Sequence, residues 1–265
     1  MKKILITGGN GFLGSYFKNN LKENYIIQTI GKSNINNHKI NLLDNKKVNF
    51  FFKKNKFDYV LHCAAHVPGK GNILNKRHYE ENHKMTENIS KYCNSKIIFF
   101  STYKVYADSA RIGYPYKINC SKITNYASSK ILSENFIIKN KKDYLILRLP
   151  TIFGEGVKNG LLFKTIKFDY INNNINENWC VLGVNRILKP IIMFLDKKLD
   201  KGIYNLSYKS DHSFDIILNK IFKILNKKTR LSPKKRFFLH STSLKYSEKN
   251  FKEDLIRYTK YVLKD

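Results

Sequence analysis

The stretch that decides the fold is Thr7-Gly8-Gly9-Asn10-Gly11-Phe12-Leu13-Gly14. It follows a short apolar run, Lys3–Thr7, and opens a stretch with helical spacing, Phe12–Glu23. A strand, a glycine turn and a helix in that order form a cradle for an anion. Gly8 permits the tight turn. Gly11 lets a pyrophosphate approach the backbone, and Gly14 lets the helix pack close to the strand. Asn10, Phe12 and Leu13 then stand at the helix start, where free N–H groups meet phosphate oxygens.

Downstream, apolar runs recur at Tyr25–Ile30, Tyr59–Ala65, Lys96–Thr102 and Tyr144–Leu149. Between them, His83–Cys93 and Tyr126–Lys139 have helical periodicity. Strands alternating with helices predict an α/β fold, a Rossmann-type doubly wound parallel sheet with ligands at the strand carboxyl ends. After Gly154 the pattern weakens. Asn159–Tyr170 reads as a helix, the polar run Asn172–Asn178 as a loop, and Tyr204–Tyr208 as a strand. Ile187–Leu199 is apolar, with Pro190 marking a kink or boundary. Phe214–Leu225 and Phe251–Leu263 are amphipathic helices, the first with a core stripe of Phe214, Ile217, Leu218 and Ile221. The expected organisation is a dinucleotide-binding domain over 1–152 and a small substrate lobe over 153–265, with some segments exchanged between them.

The chain has 265 residues, enough to bury a substantial core, and a formal net charge of +29. That charge invites a nucleic-acid reading. The arginines, however, are only Arg77, Arg111, Arg148, Arg186, Arg230, Arg236 and Arg257, so the excess is almost entirely lysine. Lysine, asparagine and isoleucine are spread evenly, as codon drift produces, and no basic stripe stands out. We expect no specific nucleic-acid partner. Cys63, Cys93, Cys120 and Cys180 have no metal-ligand spacing and read as free thiols in a reducing cytoplasm, with no metal expected. No run approaches the ~20 apolar residues of a membrane span.

An acid about 20 residues beyond the glycine turn usually grips the ribose diol. Here the second strand ends in Gly31-Lys32-Ser33, with no acid. Lys32 and Ser33 suit a 2′-phosphate, which favours NADP(H), with NAD(H) the alternative. Tyr126-Ala127-Ser128-Ser129-Lys130 puts a phenol and an ammonium at i and i+4 on one helix face. Lys130 is expected to lower the Tyr126 phenol and to hold the nicotinamide ribose. Thr102, at the end of the fourth strand, offers a hydroxyl to the same substrate oxygen. Thr102, Tyr126 and Lys130 together are a set for hydride transfer at a carbinol or ketone.

With these pieces in place, the chain resembles the extended short-chain dehydrogenase/reductase family of nucleotide-sugar epimerases, dehydratases and reductases. The matching residues are TGGNGFLG (7–14), LHCAA (61–65), Asn82 with Thr86 and Asn88, FSTYKVY (100–106), YASSK (126–130) and LRLPTIFG (147–154). The resemblance implies that Asn41, Leu42, Cys63, Ala64, Ala65 and Leu149 contact the cofactor. It places His66, Thr102, Tyr103, Lys104 and Arg186 at the substrate, a nucleoside-diphosphate sugar, with Arg186 as a diphosphate cation. It also implies a homodimer. Dehydratases of this family carry Asp-Glu after the catalytic Thr, whereas this chain has Tyr103-Lys104. Synthases that epimerise before reducing carry a Cys where Lys104 stands. Asn41 replaces the usual Asp near the adenine. What remains is reduction of a keto group, with a 4-keto-6-deoxy sugar the expected substrate and surface polysaccharide the expected destination. A C4-epimerase with retained NAD is the alternative within the family. A catalytically silent NADP- or RNA-binding protein is the alternative outside it.

Overall fold

The computed structural model describes residues 1–67, 76–106, 124–158, 160–168, 178–179, 181–208, 212–227 and 244–264. Most of the polar run Asn172–Asn178, Cys120 and Cys180 lie outside the described residues. The chain divides into two compact units.

The first unit draws on Met1–Asp108, Ile118–Arg148 and Ile191–Ile203. Its strands are β1 (Lys3–Thr7), β2 (Ile26–Gly31), β3 (His38–Lys39), β4 (Tyr59–His62), β5 (Lys96–Thr102) and β6 (Tyr144–Leu149), in the order β3-β2-β1-β4-β5-β6. Pairing is parallel, and Thr7 sits level with Ile30 on one side and His62 on the other, with Phe99 next to His62. The carboxyl ends of β1, β2 and β4 therefore finish nearly level, with β5 running on to Thr102, and ligands collect at this edge in such sheets. The fold class is α/β of the doubly wound type, as the alternation predicts.

The flanking helices are α1 (Phe12–Leu21), α2 (Asn45–Lys54), α3 (Lys76–Tyr92) and α4 (Asn125–Asn140). The pattern of apolar runs did not reveal α2. Its core face is only Val48, Phe51 and Phe52 in a lysine-rich segment. Its local signals are clear in hindsight: Asp44 caps the start by accepting from the Lys47 N–H at 3.0 Å, and Lys53 and Lys54 suit the negative end of the dipole. Val48, Phe51 and Phe52 join Leu5, Ile30, Val60, Ile89, Ile97, Phe99 and Ile146 in one buried cluster. Each such side chain stabilises the fold by roughly 1.5–3 kcal/mol before chain entropy is counted.

Helix α6 (Leu188–Leu195) begins near the start of the apolar run from Ile187. Pro190 lies in its first turn, where a missing N–H is tolerated, so it does not end the helix, and the division between the two units falls just after it, at the expected boundary. Ile191–Ile203 returns to the first unit, where the Tyr59 hydroxyl donates to the Leu195 carbonyl at 3.2 Å and the Phe194 ring packs edge-on against Tyr59. The first unit thus takes a segment from beyond residue 152. The first unit's main segment ends at Arg148.

The second unit draws on Leu149–Pro190 and Tyr204–Asp265. It pairs β7 (Thr151–Phe153) with β9 (Val181–Gly183), β8 (Asn178–Trp179) with β11 (His212–Ser213), and β10 (Gly202–Tyr208) with β12 (Leu244–Tyr246). Its helices are α5 (Gly160–Phe168), α7 (Phe214–Ile224) and α8 (Glu248–Lys264). The Phe153 ring packs against Phe251 and Tyr258, and the Tyr258 hydroxyl donates to the Val157 carbonyl.

Candidate active site

The glycine turn has the geometry its spacing predicts. Gly8 has φ +65°, and a Cβ there would lie 2.8 Å from the Ala64 Cα. A Cβ on Gly14 would strike the Gly8 carbonyl oxygen, so only glycine lets α1 lie this close to β1. Gly9 was not singled out in the sequence, yet a Cβ there would meet the Thr29 side chain at 2.5 Å. Gly11 differs. A Cβ there would approach only the Gly8 carbonyl, at 3.3 Å. It is the N-cap of α1 with no side-chain cap bond. Phe12 and Leu13 open the helix half-buried, and Asn10 is exposed. An exposed, uncapped helix start beside a glycine that protein packing does not require fits a dinucleotide pyrophosphate.

Around the turn, Lys32 and Ser33 are exposed at the end of β2. Asn36 folds back beneath them, its Nδ2 donating to the Ser33 carbonyl at 3.1 Å. Asn41 is exposed and shapes a turn, its Oδ1 accepting from the Leu43 N–H. Leu42 points into the core, and its carbonyl accepts from Asn88 Nδ2 at 2.8 Å. Cys63, Ala64 and Ala65 follow β4, and Leu149 closes β6. Burial pushes the Cys63 thiol well up, which keeps it protonated.

The β1 and β4 ends are tied by a buried relay. Thr86 donates to the Asn82 carbonyl, so it accepts from His62 Nε2 at 3.0 Å, which leaves His62 Nδ1 to accept from Thr7 at 2.7 Å. Thr7 in turn accepts from the Ala64 N–H. Burial pushes His62 down to about 3, with the nearby Lys130 charge adding to the effect. His66 is held differently. Asn82 accepts from its N–H at 2.6 Å and donates to its carbonyl at 2.9 Å. The His66 Nε2 lies 3.0 Å from Glu81, whose other oxygen meets Arg77.

The catalytic trio converges on the ends of β5 and α4. Thr124 caps α4 by accepting from the Ala127 N–H. Successive turns then present Tyr126, Lys130 and Glu134. The Lys130 Nζ is buried, donates to the Phe100 carbonyl at 2.9 Å, and lies 5.9 Å from the Tyr126 ring centre. Burial pushes its ammonium down to about 8. Thr102 is buried, its Oγ1 accepting from the Lys104 N–H at 3.3 Å. Tyr103 is half-buried and Lys104 exposed, at the start of a 3-10 turn.

The expected depression of the Tyr126 phenol is not what the structure has. Burial pushes it up to about 12, and the Tyr79 phenol, with its ring 6.1 Å away, adds to the rise. The physical reason is burial of the phenol, and the Lys130 ammonium, which donates to the Phe100 carbonyl, does not offset it.

Arg186 belongs to the second unit, in a 3-10 turn, Val184–Ile187. Its Nε and Nη2 donate to Asp254 at 2.6 and 2.9 Å, and the Tyr208 hydroxyl donates to the same carboxylate at 2.7 Å. Its charge is neutralised inside that unit, which a reading as a free diphosphate cation did not anticipate. Arg148, at the end of a strand, reads from the sequence as meeting a carboxylate or phosphate or as structural, and its partner is a carboxylate inside the fold. It forks onto Glu134, with Nε at 3.0 Å and Nη2 at 2.6 Å. The available signal was Glu134 itself, an acid four residues after Lys130 on the helix face that packs inward.

The chain is 26% identical to the uncharacterized protein MJ1055 of Methanocaldococcus jannaschii, over 86% of this chain and 82% of that one. It shares its fold with the Bordetella bronchiseptica enzyme WbmG in complex with NAD, at a TM-score of 0.81 and 18% identity, covering 99% and 94% of the two chains. The dTDP-4-dehydrorhamnose reductase of Yersinia enterocolitica superposes at a TM-score of 0.75 and 21% identity, covering 99% and 100%. A family model matches residues 4–194, and the chain belongs to the NAD dependent epimerase/dehydratase family.

Proposed function

We propose that this protein reduces a keto group on a nucleotide-activated sugar, with a 4-keto-6-deoxy sugar as substrate and NADP(H) as the favoured cofactor. The observation that carries the reading is the trio Thr102, Tyr126 and Lys130 with Tyr103-Lys104 beside it. A dehydratase needs an acid and a base next to the threonine, and neither residue supplies that pair at neutral pH. The dehydrorhamnose reductase that shares the fold supports the substrate class.

A dinucleotide held at the glycine turn would supply the hydride for the carbonyl carbon. Thr102 polarises the carbonyl oxygen by donating its hydroxyl proton while it accepts from the Lys104 N–H. Tyr126 delivers a proton to the oxygen as negative charge develops there. A phenol near 12 is still protonated at neutral pH, yet is a stronger acid than a sugar hydroxyl, so it is set to give a proton. Lys130 remains mostly an ammonium at pH 7, which suits contact with the nicotinamide ribose. The Gly8–Gly14 turn would hold the pyrophosphate, and Lys32 and Ser33 the 2′-phosphate.

The test is NADPH consumption by the full chain against a panel of nucleotide-linked 4-keto-6-deoxy sugars. Turnover with exchangeable NADPH is expected. Tightly retained NAD+ that copurifies, with interconversion of C4 epimers and no net NADPH loss, would replace the reductase by an epimerase.

A further inference from the structure

Lys130, Glu134 and Arg148 are all at least nine-tenths buried, and they stand where α4, β5 and β6 meet. Glu134 is the hub. It accepts from Arg148 Nε and Nη2, and from the Ser101 hydroxyl in a short hydrogen bond. Arg148 Nη1 donates to the Tyr106 hydroxyl at 2.8 Å, with the guanidinium 5.0 Å from the ring centre. The cluster thus holds the residue before Thr102, the end of the 3-10 turn after it, and the helix turn after Lys130. A staple needed only for stability has an apolar equivalent of the same volume, which is often as stable as a buried ion pair.

We propose that the Glu134–Arg148 pair is a positioning device for the reaction: it sets α4 against the end of β5 so that Lys130, Tyr126 and Thr102 hold one register, and it gives the Lys130 ammonium its anion. The inference rests on the reading in which Lys130 meets the ribose of the dinucleotide.

The surroundings of Lys130 leave that electrostatic role to Glu134. From β4 it faces His62, which is held neutral, and the Cys63 thiol, which burial keeps protonated. From β5 it faces the Phe99 ring, 4.6 Å away, and the Phe100 carbonyl. From α4 it faces Tyr126, protonated at neutral pH, and Glu134. Tyr79 of α3 reaches Tyr126. Removing the Glu134 charge withdraws an attraction from the ammonium and strips Arg148 of its partner. Both changes disfavour the charged lysine, so its titration moves to lower pH.

The experiment is calorimetric titration of the full chain with NADP+ and with NAD+, from about pH 6 to about pH 10, alongside thermal unfolding. The variants are Glu134→Gln and the double variant Glu134→Leu with Arg148→Met. The double variant removes both charges at similar volume and keeps the test open where the single variant does not fold. In the wild type, affinity should fall with a midpoint near 8, where Lys130 titrates. In Glu134→Gln the midpoint should drop by about one pH unit, with about 3- to 10-fold weaker binding at neutral pH; in the double variant, which also removes the Arg148 charge, the midpoint should move less while the weaker binding persists, because the register is lost. A folded double variant with the wild-type midpoint and affinity overturns the proposal and leaves the pair a structural staple. A wild type that binds neither dinucleotide overturns the functional reading and this inference with it, and that result differs from the previous one.

Discussion

Arg148 and Arg186 make the same chemical arrangement in different units of the molecule. Each forks through Nε and Nη2 onto one carboxylate, Glu134 or Asp254, and each has a tyrosine ring beneath its guanidinium. They differ in burial. The Arg148 and Glu134 side chains are each 2% exposed, whereas Arg186 is 19% exposed over a 1% exposed Asp254. At both places the planar guanidinium fork fixes two elements, which the point charge of a lysine does not do. The difference in burial separates a pair sealed behind the reacting groups from one that braces the second unit at its surface.

The largest expected effect is on stability. Arg148→Met leaves Glu134 buried with only the Ser101 hydroxyl of its former donors, and should cost about 3–5 kcal/mol in denaturant unfolding. Arg186→Met should cost about 1–3 kcal/mol, because Tyr208 still donates to Asp254 and water reaches the site. Equal costs would show that burial does not grade the two pairs. Arg148→Lys and Arg186→Lys sharpen the contrast. Lysine keeps the charge but loses the fork, so Arg148→Lys should lose most of what Arg148→Met loses, and Arg186→Lys about 1 kcal/mol or less.

Acid distinguishes the two regions as well. His62 is buried neutral in the first unit, with its titration lowered from 6.5 to about 3. The unfolded chain takes up that proton first, so His62 contributes its full stability above about pH 6.5. The contribution is lost as pH falls towards 3, by up to about 1.4 kcal/mol per unit. Unfolding free energy followed from pH 7 to pH 4.5 should fall, and His62→Gln should flatten the slope. A slope unchanged by that substitution contradicts the buried relay. The smallest effect concerns the cofactor. With both arginines paired, the exposed Lys32 is the cation at the end of β2, and Lys32→Gln should weaken NADPH relative to NADH by about 2- to 5-fold in kcat/KM.

Much of this architecture was legible in the sequence. Lys3–Thr7, Lys96–Thr102 and Tyr144–Leu149 are strands with the expected bounds, because buried parallel strands are continuous apolar runs. Gly8 and Gly14 could be read because each is required by a backbone contact within a few residues. What stayed hidden depends on distance in the chain. The fork from Arg148 to Glu134 and the one from Arg186 to Asp254 join residues far apart, and periodicity says nothing about them. The rise of the Tyr126 phenol is a matter of burial and of the Tyr79 phenol brought beside it from α3. Helix α2 was lost for a local reason: its apolar stripe is narrow and its lysines look like the rest of the chain.

The central claim is that Tyr126, Thr102 and Lys130 carry out net hydride transfer to a sugar carbonyl. Its most direct test uses NADPH deuterated at the transferable position of the nicotinamide, with a nucleotide-linked 4-keto-6-deoxy sugar. The prediction is one deuterium on the product carbon that bore the keto oxygen, with the rate falling about 10²- to 10⁴-fold in Tyr126→Phe while the dinucleotide still binds. A folded protein that transfers no deuterium to any sugar of the panel, or a Tyr126→Phe variant that transfers it at the wild-type rate, contradicts the account.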